Sequence, residues 1–339
     1  MTTLPRSRLG TTGYEITVVG LGAWAIGGGG WQGGWGPQDD AFSIATIRHA
    51  LSVGVNWIDT APAYGLGHAE EVVGRALRGL SDADRPLVFT KCGLTWKEGE
   101  TTVSNVLTPA SIRRECEASL RRLGLESLDL LQVHWPSTDG TLIEEAWQTL
   151  TELVEEGKVR SLGASNFDVP LLERCQAIRQ VDVYQPELNL IRRSAATDTI
   201  PWAAAQGTGV IVYSPMRSGL LSGAFSQARV ARLPADDWRK GDPDFQEPKL
   251  GQNLALLELA RAIAHDLGCT LPELAVAWTL AWPAVTGAIV GARFPDQVDE
   301  WVNAARLQLK ADDLRRIAFV LDQTGAGAGP TMPTAPVVA

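Results

Sequence analysis

Cysteine and contiguous positive charge are scarce in this chain of 339 residues. Four cysteines are present, Cys92, Cys116, Cys175 and Cys269; none forms a CxxC pair, and none stands with histidine at metal-ligand spacing. That excludes a disulfide framework or a zinc module, suits reduced thiols, and implies no metal. No run of lysine or arginine occurs, and the formal net charge is −9 with a pI near 5.1. A general nucleic-acid surface wants a basic face, so that class of partner is set aside. Anionic ligands must be met by individually placed Arg, Lys or backbone N–H groups. The opening residues, MTTLPR, lack the apolar core of a signal peptide, and a cytoplasmic location is expected. One uncharged stretch, residues 274–292, approaches the length of a membrane span, but Pro283 and Gly287 divide it. It reads as a buried helix, a turn and a short strand, and no membrane partner is expected.

What the chain does contain is a repeated pattern of apolar runs, each followed by a turn and an amphipathic stretch. The runs fall at residues 18–21, 56–59, 87–91, 128–134, 159–164, 183–186, 210–213 and 288–290. They are apolar on both faces, as in parallel strands covered on both sides. Helical patterning occupies 40–53, 69–78, 109–123, 142–156, 169–179, 194–206, 253–267 and 297–305. Thr108 before Pro109 marks a helix start, and Gly54, Gly124, Gly157 and Gly268 stand where helices should stop. Eight such units without a long linker predict an α/β fold, a single-domain (β/α)8 TIM barrel over residues 1–324. A doubly wound sheet would show a GxGxxG turn opening a helix after its first strand. The glycine run at 27–36, GGGGWQGGWG, lacks that spacing and reads as a flexible loop at the barrel mouth. The connection 217–250 is long enough to be a lid or binding loop, and 325–339, rich in Gly, Pro and Ala, is expected to be a flexible tail.

In such a barrel, functional side chains gather at the C-terminal strand ends. Those ends carry Asp59 in NWID, Lys91 in FTK and His134 in LLQVHW, and Tyr64 lies on the loop after Asp59. Singly, Asp59, Lys91 and His134 each have an ordinary explanation: a turn cap, a solvated charge, a hydrogen-bonded core imidazole. At one mouth they make a chemical set. Tyrosine is a poor proton donor at neutral pH, with a free pKa of about 10. The Lys91 ammonium should depress that value, Asp59 should hold Lys91, and a neutral His134 should fix a carbonyl oxygen near the phenol. Such a set protonates an oxyanion as it forms but brings no nucleophile. Hydride from a reduced nicotinamide is the obvious one to be carried in.

The strings NWIDTAPAYG, TKCG, QVHWP, GASNF, YSPMRSGLLSG and GARFPDQVDE, in this order along nearly the whole chain, resemble the aldo-keto reductases. The closest resemblance is to bacterial reductases of the inositol-operon and general-stress type. It implies an NADP-dependent oxidoreductase that reduces an aldehyde or ketone to an alcohol with NADPH, NADH being the less expected cofactor. By this resemblance Asp59, Tyr64, Lys91 and His134 form a catalytic tetrad, with Tyr64 as general acid. Ser165, Asn166 and Gln185 would meet the nicotinamide carboxamide, and Tyr213 would stack under its ring. Ser214, Pro215, Met216, Arg217, Gly219 and Leu221 would follow the pyrophosphate, with 217–250 as a cofactor-side lid. Gly291, Arg293, Gln297 and Glu300 would take the adenosine end, where the Arg293 guanidinium suits a 2′-phosphate. Trp24 would line both cofactor and substrate sites, and Trp31, Trp35, Trp96 and Trp135 would give the pocket aromatic walls for a small carbonyl compound.

Two positions depart from the family pattern. Ala224 stands where a phosphate-contacting lysine is common, and Trp301 where an asparagine would meet adenine. Arg217, Arg229 or Arg232 would then have to compensate, and looser NADPH binding than the family norm is expected. The same tetrad would also serve NADP-dependent oxidation of a polyol or sugar. Cofactor-sensing regulatory subunits share the barrel, but often with asparagine at the position of His134, so the intact histidine favours an enzyme. Oligomeric state is not legible.

Overall fold

The computed structural model describes residues 3–333 apart from 82 and 236. At its centre is a closed parallel barrel of eight strands: β1 Val19–Gly22, β2 Trp57–Asp59, β3 Leu87–Cys92, β4 Leu130–Val133, β5 Leu162–Ser165, β6 Val183–Gln185, β7 Gly209–Tyr213 and β8 Val285–Gly291. Strands adjacent in sequence are adjacent in the barrel, and β8 closes on β1 with Ala288 opposite Val19. Helices α1 Asp40–Ser52, α2 His68–Leu77, α3 Pro109–Leu123, α4 Ile143–Glu155, α5 Val169–Gln176 and α6 Thr199–Gln206 follow the first six strands in turn. After β7 the chain makes its long excursion before α7 Lys249–Leu267 and α8 Leu271–Leu280; after β8 come α9 Pro295–Asp299 and α10 Ala311–Thr324. The expected (β/α)8 barrel is therefore the fold. The uncharged stretch forms α8, a turn and β8, and among the described residues no helix is long and apolar enough to cross a membrane.

Alternation of side chains along each strand builds the interior in layers. The lower layer is apolar: Trp57, Phe89, Leu130, Val183 and Ile211 pack with Ile289 as one buried cluster. A hairpin pairing Arg6–Arg8 with Glu15–Thr17, too short to show in the sequence pattern, sends Leu9 and Ile16 into the same cluster. The Trp57 indole fits because β1 has glycine beside it; a Cβ on Gly20 would lie 2.1 Å from the ring. Two residues further along the strands come Asp59, Lys91, Gln132, Gln185 and Tyr213. A period of two thus places a polar floor directly above an apolar plug.

Several elements depart from expectation. The helix expected at 194–206 is a 3-10 turn, Ser194–Ala196, and then α6, because the Asp198 carboxylate caps Thr199 N–H at 2.6 Å and starts the helix afresh. The helix expected at 297–305 is α9 followed by a 3-10 turn, Val302–Arg306, the two parting at the buried Trp301. The glycine run lies at the mouth but is anchored: the Trp24 and Trp31 indole N–H groups donate to Gly33 O (2.8 Å) and Gly28 O (3.1 Å). Its start touches the Tyr64 loop so closely that a Cβ on Gly65 would lie 2.2 Å from Gly27 O. Residues 325–329, expected to begin a flexible tail, are docked on the barrel. Ala328 N–H donates to Ile191 O (3.0 Å), and the buried Arg193 guanidinium donates to Ala326 O (3.1 Å) and Gly329 O (3.2 Å). The rest of that expected tail, from residue 334, falls outside the described residues.

Candidate active site

A cavity of about 820 Å³ opens at the C-terminal ends of the strands. Asp59, Tyr64 and His134 line it, and Lys91 lies behind Tyr64. β2 delivers Asp59 and β3 delivers Lys91; the backbone N–H of His134, just past β4, donates to Cys92 O at 3.0 Å, which ties that residue to the end of β3. Lys91 Nζ donates to Asp59 Oδ1 at 2.5 Å, to Thr60 O at 3.1 Å and to Tyr64 Oη at 3.3 Å. The His134 ring stands edge-on to Tyr64, with centroids 5.7 Å apart. The four side chains expected to converge do so.

The electrostatics differ from expectation at Tyr64. Its hydroxyl is held well above the ordinary tyrosine value, first by burial and then by the negative charge of Asp59. The expected depression by Lys91 does not appear as a lowered value, because burial, and then the charge of Asp59, outweigh the pull of the ammonium. Burial lowers the Lys91 value, against the opposing pull of Asp59 and Glu70. Burial, then the charge of Lys91, holds His134 well below the usual imidazole range, so its ring is neutral near pH 7. Its Nδ1 is buried without a hydrogen-bond partner, which suits the tautomer carrying its proton on Nε2. The site therefore holds a phenol with its proton, a neutral imidazole donor and a compensated ammonium.

The residues expected to hold a dinucleotide form one continuous wall. Ser165, Asn166, Gln185 and Tyr213 line the cavity near the tetrad, and they are already interlinked: Tyr213 Oη donates to Asn166 Oδ1 at 2.8 Å, and Ser165 Oγ donates to Gln185 O at 2.8 Å. Ser214, Pro215, Met216, Arg217 and Gly219 follow. Ser214, Arg217, Ser218 and Asn166 all have positive φ, a concentration of unusual backbone of the kind found at ligand clamps. Leu221, expected in this wall, is instead buried in the core behind it. Gly291, Arg293, Gln297, Glu300 and Trp301 line the far end.

The compensating arginines sort themselves by partner. Arg217 is buried against Asp244 (2.8 Å) and Asp242 (2.6 Å), so its charge is already neutralised. Arg232 does not reach the cavity. Arg229 lines it, its guanidinium donating to Ala224 O at 2.9 Å, and Arg293 is held by Gln38 Oε1 at 2.7 Å and by the Pro37 carbonyl. Among the described residues neither Arg229 nor Arg293 has a carboxylate within ion-pair distance.

Of the tryptophans, Trp24, Trp35 and Trp135 line the cavity, Trp31 packs against Trp24 and Tyr64 without lining it, and Trp96 is away from it. Sequence reasoning missed Trp238. It comes from the long excursion after β7 and stacks on Trp24, with centroids 5.7 Å apart and planes 13° from parallel. No local pattern marks it. Gln132 was also missed, although LLQVHW signals it: a polar residue inside an apolar strand, two before His134. It is fully buried and donates to Asp59 Oδ2 at 3.3 Å.

Barrel and site together set a buried ion pair, a phenol and an imidazole at the mouth of a (β/α)8 barrel. Comparison with known proteins carries this further: the chain belongs to the aldo/keto reductase family, whose model matches residues 18–322. It is 35% identical over 314 residues to the aldo-keto reductase YhdN of Bacillus subtilis, covering 92% of each chain. It is also 35% identical over 329 residues to the NADH-specific methylglyoxal reductase of Escherichia coli, covering 93% of this chain and 98% of the other. Among solved structures, the glycerol dehydrogenase AKR11B4 from Gluconobacter oxydans superposes with a TM-score of 0.86 at 36% identity, over 97% of this chain and 99% of the other.

Proposed function

We propose that this protein reduces an aldehyde or ketone to an alcohol with NADPH, taking the proton from Tyr64. The observation that carries the proposal is the Tyr64 hydroxyl, placed between Lys91 and His134 at the wall of the cavity. A dinucleotide fits the remaining wall: an aromatic side chain at the end of β7, a turn of positive-φ backbone, and at the far end an arginine that makes no ion pair among the described residues. Bound NADPH supplies the hydride; the chain's own residues manage the proton.

The three hydrogens of Lys91 Nζ meet three acceptors, one of them the Tyr64 oxygen. Tyr64 therefore accepts from lysine and keeps its own hydrogen free for the cavity. The Nε2–H of neutral His134 orients the substrate oxygen. As negative charge grows on that oxygen it becomes a stronger base than a phenolate, and the proton leaves Tyr64. The resulting phenolate lies 3.3 Å from the Lys91 ammonium, and its charge is stabilised there. Run backwards, the same set removes a proton from an alcohol, so oxidation of a polyol is the alternative direction; the structural neighbour named for glycerol keeps it in view. The relative named for methylglyoxal supports a small oxygenated carbonyl as substrate. The Trp24, Trp35 and Trp135 walls also suit a flat aromatic carbonyl or a sugar ring.

NADPH is preferred here to NADH, although one relative is named NADH-specific, because the Arg293 guanidinium, held by Gln38 and the Pro37 carbonyl, makes no ion pair among the described residues. Arg293→Leu should weaken NADPH binding about tenfold or more while changing NADH affinity by less than about threefold. Fluorescence titration with both nucleotides measures this, and equal losses for the two would contradict the assignment.

A further inference from the structure

Asp59 is held on both of its oxygens. Oδ1 accepts from Lys91, while Oδ2 accepts from Gln185 Nε2 at 2.8 Å and from Gln132 Nε2 at 3.3 Å. Gln185 Nε2 also donates to Gln132 Oε1 at 3.1 Å, closing a ring of one carboxylate and two amides. The three residues come from β2, β4 and β6, alternate strands that share one layer of a barrel interior. The orientation of the amides follows from chemistry. A carboxylate only accepts, so both amides must turn their NH2 toward it, and the Gln132 oxygen is then left to face Gln185.

Room for Gln132 is built into the next strand. A Cβ on Gly163 of β5 would lie 2.8 Å from Gln132 Cγ, so glycine is needed where the amide passes. Gln132 is fully buried and does not line the cavity, so it meets neither substrate nor dinucleotide. A fully buried amide is unfavourable unless its hydrogen bonds matter, and leucine or methionine would fill the same space. Gln185, by contrast, lines the cavity and can be drawn upon by a ligand. Among the described residues, Gln132 is thus the one neutral donor dedicated to Asp59.

We propose that Gln132 is a positioning residue for the proton transfer: it holds the free oxygen of Asp59, so that the carboxylate keeps its charge and the shared proton stays on Lys91 when Tyr64 ionises. The role rests on the reductase reading given above. Without the Gln132 donor, Asp59 becomes a stronger base and takes more of the proton from Lys91. The phenolate is then less stabilised, and Tyr64 keeps its proton to higher pH.

The test uses the full chain with Gln132→Met and Gln132→Glu, following kcat against pH with NADPH and one aldehyde, and NADPH affinity by fluorescence. Gln132→Met should lose about tenfold in kcat, move the alkaline limb upward by about half a pH unit or more, and keep NADPH affinity within about twofold. Gln132→Glu keeps the shape of the side chain. Protonated, it can donate to Asp59 as glutamine does; ionised, it cannot. Its activity should therefore lie closest to wild type at the acid end and fall away as pH rises, a signature independent of whether Gln132→Met folds well. If the wild type turns over and both variants keep its limb, the role of Gln132 is overturned, whatever their kcat. A wild type without turnover overturns the reductase reading itself, and this role with it.

Discussion

Each of the three hydrogens on the Lys91 ammonium finds an acceptor: a carboxylate, a backbone carbonyl and a phenol. Lys91 and Asp59 are both buried, so each depends on the other to stay charged. Lys91→Met should therefore destabilise the fold by about 3–5 kcal/mol, because a buried carboxylate loses its cation. Adding Asp59→Asn should restore most of that stability and none of the turnover. Denaturant unfolding of the two single variants and the double variant measures the coupling, and simple additivity would contradict it. At this scale the sequence was informative about identity and blind to environment. Asp59, Tyr64, Lys91 and His134 were legible because strand ends and residue types pointed to them. The high value of the Tyr64 hydroxyl was not, since burial is a property of the assembled mouth. Nor was the neutralisation of Arg217, whose partners Asp242 and Asp244 stand in an excursion without periodic pattern.

Helix α3 and strand β3 meet through Glu115, which accepts from Gly93 N–H at 2.8 Å and from Ser111 Oγ at 3.0 Å. Gly93 follows β3, so this carboxyl supports the chain just beyond Lys91. Burial pushes it up to about 7. A carboxyl raised on folding binds more protons in the native state than in the unfolded one. Stability is then lost as pH rises from the unfolded value of about 4.5 toward 7. Glu115→Gln keeps an acceptor for Gly93 and removes the ionisation. Its melting temperature should exceed wild type at pH 8 and match it near pH 5; equal shifts at both pH values would show that the carboxyl is not the titrating group. The elements themselves were legible wherever periodicity ran long enough. All eight barrel strands followed from their apolar runs, and α8 from an uncharged stretch cut by Pro283 and Gly287. The three-residue strands of the N-terminal hairpin are too short to show a period, and α10, with ADDLRRIAF at its start, lay beyond the last expected helix.

Over the whole molecule the charge is −9, yet the wall of the cavity carries Arg229 and Arg293, which make no ion pair among the described residues. An acidic protein thus keeps guanidiniums on the wall of this cavity, where they attract an anionic ligand such as the proposed dinucleotide. Binding to the native state alone stabilises it by linkage, by about 2.7 kcal/mol at a ligand concentration 100 times Kd. NADPH should therefore raise the melting temperature more than NADH at equal concentration, and added salt should shrink the difference. A larger shift with NADH would reverse the cofactor assignment. The family was legible at this scale because six motifs in order span the chain, whereas a cavity wall such as Trp238 folds in from a distance and carries no local pattern.

The most direct test is turnover of the wild type and of Tyr64→Phe, followed by loss of nicotinamide absorbance against a panel of aldehydes and ketones, with NADPH binding measured in parallel. The substitution removes one hydroxyl and leaves the ring that packs on Trp24. The proposal predicts that the wild type reduces members of the panel, and that Tyr64→Phe binds NADPH as well but turns over about a thousandfold or more slowly. A Tyr64→Phe variant that keeps wild-type turnover would contradict it, and the proton would then have to come from elsewhere.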